Sequence, residues 1–413
     1  MRILAYTTKE NSVGVSVKES TGEGIMSPKA EVILEWLMSG YLEDVKDNPK
    51  LADGTVKVCW SLDDTLAPIL KLLGKRVCEK LYEDKKCYLA PYQLFYIPGK
   101  LFVLKDIRVS YGKLELFDLE QYFPAEPYQD DVEQIWNYGQ LLYKALNKMG
   151  FYPKRLVSPV KIYEEWILDH CDLPTGWNMP KEAAELAWMC SGKLWIEAHC
   201  LGFFKGTHDY DISSAFPKVA GKLYDTRECD WVGSEEYQPK AVYGYCKGIV
   251  TIHDWVMVSP IIYIGENGDS LSATGTWETY LTKGEIDFIK KRGIGEFKIE
   301  QGYWAIPKTP ARKLPQPFEH IVDRLLEWKK KGGLEGDLAK RMSVGGLYGK
   351  FGEEHDTEFG KHFSPCWFAE ISAQTRLAVA EWLYKHGIGP ADNEGYKHLI
   401  HISVDGVLLD KEI

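Results

Sequence analysis

The sequence has no excess of positive charge, no paired cysteines and no long apolar run, and each absence excludes something. Lys and Arg number 50 against 60 Asp and Glu, a formal net charge of −10, so no basic coat wraps the chain. A basic track can still sit on an acidic protein, so nucleic acid is not excluded. The nine cysteines stand singly from Cys59 to Cys366 and none makes a C-x-x-C pair. That argues against a zinc site or disulfide framework and for a reducing, cytoplasmic setting. The apolar runs fall well short of the ~18 residues that a membrane span needs, so no membrane partner is expected. The start, MRILAYTTKENSVGV, lacks the basic region, apolar stretch and cleavage site of a secretory signal. There is no repeat and no low-complexity segment.

What is present is ordinary globular composition, with 45% hydrophobic and 27% charged residues. A length of 413 residues predicts two or three domains. Aromatics reach 13%, with 14 Trp and 24 Tyr, enough for large cores and for stacking surfaces. Alternating apolar residues predict strands in 1–17, at TVKVCW (55–60) and twice within 101–117. SLDD opens a helix, and 131–150 is an amphipathic helix ended by Gly150. Residues 151–180, with Pro153, Pro159, Pro174 and Pro180, read as a loop-rich boundary. Strand-like segments run from 208 to 305. Helices are expected over 318–331 and 334–347, joined by Gly332–Gly333, and over 366–386. HLIHISVDGVLLD reads as strand, tight turn, strand. The fold class is α/β (α+β).

Two aspartates follow apolar strands. Asp211 precedes a Pro-containing turn in HDYDISSAFP, and Asp405 sits at a hairpin tip in SVDG. Carboxylates on neighbouring strands suit a pair of divalent cations that complete their shells with water and phosphate. Taken singly, either is as well read as a surface turn residue. Lys329-Lys330-Lys331 end one helix, and Lys340 and Arg341 lie on the next. They are positioned to meet a triphosphate, or to form an ordinary solvated cationic face.

Three segments together resemble a family. DISSAFP is similar to the first palm motif of family B DNA polymerases, RMSVGGLYGKFG to their fingers motif, and ISVDGVLL stands at their catalytic hairpin. Order and spacing resemble the protein-primed phage and plasmid branch. The resemblance implies metal ligation by Asp211, Asp405 and the Ile212 carbonyl. It places Ser214 at the triphosphate, Phe216 under the sugar where it rejects a 2′-hydroxyl, and Lys329 and Arg341 on the phosphates. Tyr348 and Gly349 would line the nascent base pair. The cofactor it implies is a pair of Mg²⁺ ions, with Mn²⁺ as the substitute. The partners it implies are primer–template DNA and dNTPs. Ser403 replaces the first hairpin Asp, Gly345-Gly346 replace Asn-Ser, and Arg341 replaces Lys, which keeps the charge but not the geometry.

The N-terminal part resembles the family's RNase H-like 3′–5′ exonuclease with its chemistry removed. Asp63 takes the place of one acid, Glu10 is what remains of the first motif, and Glu133 and Asn137 stand where Tyr and Asp are needed. An inactive domain is therefore expected. The implied layout is 1–165 exonuclease-like, 166–207 linker, 208–310 palm with an insertion, 311–352 fingers and 353–413 second part of the palm. No thumb follows Asp405 before Ile413, so a split or truncated enzyme is expected, with a second polypeptide carrying the thumb. The function this implies is a DNA polymerase subunit acting in DNA replication in the cytoplasm, the host's if phage-encoded. The alternative is a non-catalytic polymerase-like scaffold that binds DNA or a partner.

Overall fold

A computed structural model describes residues 2–9, 12–17, 23–26, 34–35, 37–38, 55–108, 113–265, 270–345, 348–355, 358–391 and 393–413. Glu10 and Gly346 lie outside the described residues. The chain forms two units, 1–169 with 328–342, and 170–327 with 343–413. Among the described residues, no helix is long and apolar enough to cross a membrane.

The first unit is built on an eight-stranded sheet. Its strands are β1 (Arg2–Lys9), β2 (Ser12–Val17), β3 (Glu23–Met26), β4 (Thr55–Cys59), β5 (Lys86–Leu89), β6 (Tyr92–Ile97), β7 (Leu101–Asp106) and β8 (Lys113–Asp118). Their spatial order is β3-β2-β1-β4-β8-β7-β6-β5. The central strands β1, β4 and β8 run parallel, which requires crossover connections and helical cover. Helices α1 (Leu62–Leu73), α2 (Lys75–Glu83) and α3 (Val132–Met149) supply it. Leu62, Leu66 and Ile69 of α1 meet Leu94, Phe102 and Leu104 of the sheet in one apolar core. Asp131 caps α3 by accepting from the Glu133 and Gln134 amides, and Gly150 ends it with φ of 85°.

The expected loop over 151–180 is corrected by α4 (Pro159–His170). Pro159 is the first helical residue, where its missing N–H costs nothing and its fixed φ suits the turn. Pro180 likewise stands just before α5 (Lys181–Cys190). These prolines start helices rather than mark an irregular linker.

In the second unit, β9 (Ile196–Ala198), β10 (His208–Asp211), β19 (Leu399–Ser403) and β20 (Gly406–Leu409) form an antiparallel sheet, ordered β10-β20-β19-β9. Short α6 (Ala215–Ala220) follows β10. A second antiparallel sheet has the order β11-β16-β12-β15, from β11 (Cys229–Gly233), β12 (Tyr243–Ile252), β15 (Gly275–Thr282) and β16 (Gly295–Pro307). Two hairpins, β13 (Ile262–Ile264) with β14 (Ser270–Ser272) and β17 (Glu354–His355) with β18 (Glu358–Phe359), complete the strands. A Cβ at Gly248 would lie 2.1 Å from the Lys298 carbonyl oxygen, so the bulge there needs glycine. The remaining helices are α7 (Lys283–Arg292), α8 (Glu319–Lys331), α9 (Gly333–Gly345), α10 (Tyr348–Phe351), α11 (Pro365–Lys385) and α12 (Asn393–Tyr396). Val379, Ala380 and Leu383 of α11 share one core with Ile402, Val407 and Leu409 of the first sheet and Val250 and Trp304 of the second.

That core has a buried polar centre. Arg376 of α11, 1% exposed, donates to Glu285 Oε1 at 2.6 Å, to the Pro260 carbonyl at 3.3 Å and to the Lys193 carbonyl. Glu285 also accepts from the backbone N–H and the hydroxyl of Thr282, forming the capping box of α7. Hydrogen bonds to both partners from several sides are what make a buried charge pair tolerable.

Candidate functional site

Strand alternation divides the β10-β20-β19-β9 sheet into two faces. Tyr210, Ile402, Val407 and Leu409 turn toward the core. Asp209 and Asp211 point the other way, opposite Leu408 and Gly406, with His401, Ser403, Ile196 and Ala198 on the same face. Asp211, Ser403 and Ile196 are exposed there.

Asp405 and Asp211 come together at one end of this sheet. The Ile212 N–H donates to the Asp405 carbonyl at 2.9 Å, which stitches the end of β10 to the β19–β20 turn. A Cβ at Gly406 would be 3.8 Å from Asp211 Oδ1, so the carboxylate lies against the turn. Val404 occupies the left-handed region at φ 58°, a strained conformation for a β-branched residue, and its N–H donates to the Trp195 carbonyl at 2.7 Å. The turn that presents Asp405 is held rather than relaxed. A pocket of about 100 Å³ is lined by both aspartates with Tyr210, Ile212, Val379, Trp382 and Val407. Tyr210 packs on Trp382 at 5.2 Å between ring centroids, and its hydroxyl accepts from the Ile413 N–H at 2.9 Å.

Among the described residues, no three His, Cys, Asp or Glu side chains gather to hold a metal. The donor set at this end of the sheet is two carboxylates and the Ile212 carbonyl. That carbonyl accepts from the Ala215 N–H at 3.0 Å and keeps a second lone pair. Such a set fits Mg²⁺, which binds one or two protein carboxylates and fills its octahedron with water and substrate phosphates.

The turn after β10 places the next residues. Ser214 is left-handed, with φ 56° and ψ 46°, and α6 starts directly after it. Phe216 of α6 stacks on Tyr348 of α10 at 4.7 Å and 15°, and Tyr348 meets Phe368 at 4.6 Å. Burial pushes the Tyr348 hydroxyl up to about 12, so it stays protonated and neutral at ordinary pH. Gly349 is exposed, with open space where a Cβ would be. Asp211, Ile212, Asp405, Ser214, Phe216, Tyr348 and Gly349 all belong to the second unit.

Lys329 and Arg341 belong to the first unit, both half-buried. Arg341 donates to the Gln121 carbonyl. Gly336 of α9 packs against the end of α8, where a Cβ would sit 3.3 Å from the Lys329 and Trp328 carbonyl oxygens.

Of the exonuclease set, Asp63 is exposed on the first turn of α1, and its carboxylate accepts from the Tyr96 hydroxyl and from the Gly99 N–H at 3.3 Å. It pins the β6–β7 turn to the helix. Glu133 and Asn137 are exposed, four residues apart on α3. Sequence reasoning missed Asp118, at the end of β8. Its carboxylate is buried and accepts from the Leu62 N–H at 2.6 Å and the Gln121 N–H at 3.4 Å. Burial raises it to about 6 despite these bonds. Asp209 and Trp382 were also missed. The alternation HDYD carries the signal for Asp209. Trp382 carries none, since it reads as one more apolar residue of α11.

No family model matches the sequence. Two fungal proteins described as probable glucan 1,3-beta-glucosidases, from Arthroderma benhamiae and Neosartorya fischeri, are 25% and 22% identical over 116 and 88 residues. These stretches are 24% and 21% of this chain, and the chain spans only 28% and 20% of the length of those relatives. Matches this short and distant show no family. Solved structures give a likeness over the whole chain. Phi29 DNA polymerase complexed with primer-template DNA and incoming nucleotide substrates superposes at TM-score 0.61 and 13% identity, covering 100% of this chain and 80% of that one. The post-translocation binary complex with primer-template DNA gives 0.59 at 12%, covering 99% and 80%. The orthorhombic crystal form gives 0.59 at 12%, covering 100% and 81%. At this identity the likeness establishes the fold: the chain has the mixed α/β fold seen in phi29 DNA polymerase.

Proposed function

We propose that this chain is the catalytic part of a template-directed DNA polymerase that adds dNTPs to a primer 3′-hydroxyl. The observation that carries this reading is the meeting of Asp211 and Asp405 at the end of one sheet, joined by the Ile212–Asp405 backbone bond. Beside it, the Phe216–Tyr348 stack follows directly from the turn after β10. Metal ions held by Asp211, Asp405 and the Ile212 carbonyl would supply charge for neutralising the phosphates and lowering the hydroxyl pKa. The chain's own residues orient: Phe216 sets the floor of the sugar site, Tyr348 and Gly349 face the base pair, and Ser214 binds the triphosphate. Positioning and fixed charge carry most of the rate in such a transfer.

In the same reading, residues 1–165 form an exonuclease-like domain without hydrolytic activity, because Asp63 is engaged by Tyr96 and Gly99 and residue 137 is an asparagine. Residues 166–207 link it to the palm of 208–310 and 353–413, and 311–352 are the fingers.

The test is primer extension by the chain with Mg²⁺ and with Mn²⁺. Template-dependent incorporation that disappears in Asp211→Ala supports the reading. No incorporation under any of these conditions favours the second reading, a DNA-binding scaffold, for which Ser403 in place of an acid beside Gly406 already speaks.

A further inference from the structure

The second unit contains a pocket of about 390 Å³ that the polymerase reading leaves without a role. Trp177, Met179, Trp188, Phe359 and Phe363 form its apolar walls, and Lys181 and Glu185 line it as well. Its size and its apolar walls with few charged groups are those of a ligand site. It is not a closed piece of core, because Trp177 remains 80% exposed and Phe359 45%.

The walls are held in place. Phe359 and Phe363 stack at 4.0 Å and 21°. Trp188 meets Phe363 at 5.4 Å and stacks on Phe368 at 5.8 Å and 28°. The Gly176 N–H donates to the Phe363 carbonyl at 2.8 Å, and a Cβ at Gly176 would be 3.0 Å from Pro365 Cδ. Thr175 and Asn178 close a reciprocal capping box around the 3-10 turn that carries Trp177. The exposed indole therefore rests on a fixed backbone. Lys181 pairs with Glu185 at 3.5 Å across open solvent, an interaction weak enough to exchange for a phosphate.

A succession of packed rings joins the pocket wall to the candidate nucleotide site. The rings of Phe216, Tyr348, Phe368 and Trp188 touch in succession, at 4.7, 4.6 and 5.8 Å, and end at the pocket wall. We propose that this pocket captures an unpaired base of a single-stranded nucleic acid, stacked between Trp177 and the Phe359–Phe363 pair, with Lys181 on the adjoining phosphate. Stacking on aromatic rings tolerates any base, and a flexible ammonium tracks the backbone. The choice of occupant rests on the polymerase reading, because the ring succession leads to the proposed nucleotide site.

The test uses the full chain and a thymidine oligomer with one central 2-aminopurine, whose fluorescence is quenched on stacking. Trp177→Ala and Phe359→Ala should each weaken binding about tenfold, the scale of one stacked base. Trp177→Phe should restore most of it. Lys181→Ala should shallow the salt dependence by about one phosphate contact. Trp177 is exposed, so its loss leaves the core intact, and circular dichroism checks this. Unchanged affinity and quenching in both alanine variants overturn the proposal. So does a free 2-aminopurine nucleotide that binds as tightly as the oligomer, because the occupant is then a nucleotide and not a strand. Primer extension is measured on the same samples. A wild type that extends primers while Trp177→Ala binds normally removes the pocket assignment alone. A wild type that never extends while Trp177→Ala loses the oligomer removes the polymerase reading and leaves the pocket.

Discussion

Phe216 and Tyr348, 132 positions apart in sequence, stack face to face at 4.7 Å and 15°. The stack fixes the height of the Phe216 ring, and a ring fixed in height can discriminate between sugars by clash. Phe216→Ala should raise ribonucleotide incorporation relative to deoxyribonucleotide by about tenfold or more, given that one well-fitted contact decides 1–3 kcal/mol of specificity. Competition between matched dNTP and NTP in single-nucleotide extension reads the ratio. A wild type that already uses both sugars equally removes Phe216 from this role.

Asp211→Ala and Asp405→Ala should each reduce incorporation by at least about a hundredfold, the usual cost of removing one fixed charge-stabilising group. Ser403→Ala should change it little. Thermal melting should be nearly unchanged in Asp211→Ala, because Asp211 is exposed and the core face of its strand is carried by Tyr210.

Asp63→Ala should cost about 1–2 kcal/mol of stability, because the Tyr96 hydroxyl and the Gly99 N–H lose their acceptor. A mismatched primer end should stay untrimmed in both wild type and variant. Metal-dependent trimming that persists in Asp63→Ala would identify other acids as the hydrolytic set.

Glu370 of α11 is buried, with Gln374 donating to Oε2 at 2.8 Å, and burial lifts its carboxyl to about 7. The folded state thus binds its proton more tightly than the unfolded state, whose carboxyl titrates near 4.5. This stabilisation is complete below about pH 4.5 and is lost as pH rises through about 7, a change of about 3 kcal/mol. Urea midpoints across that range should fall in the wild type, and Glu370→Gln should flatten this part of the profile.

Val404→Gly should raise stability by about 1 kcal/mol, because glycine accepts a φ of 58° without strain. Primer extension should nevertheless fall, since the freed turn no longer fixes Asp405. Equal or higher extension would show that the strain has no part in placing the carboxylate.

Much of the site was legible because its signals are local. HDYD and ISVDG announce strand ends, and Ser61, Asp131 and Gly150 are caps read directly from residue type. The ring stack was not legible, since nothing near Phe216 in sequence points to Tyr348. Helix α4 was misread because proline carries opposite meanings inside a helix and at its first position. The engagement of Asp63 was hidden for a third reason: the same side chain serves a metal or a neighbouring hydroxyl, and only the position of Tyr96 decides.

Arg376 ties three distant stretches of chain to one helix through separate nitrogens of a rigid planar fork. A lysine there could satisfy these acceptors only by swinging among them. The stretches leading into β9 and β13 and the first turn of α7 are thereby tied to α11 at one point. Residues 201–207 lie outside this tie, and every one of them faces solvent. A search for moving parts by hydrogen exchange should find its fastest amides there and its slowest around Arg376.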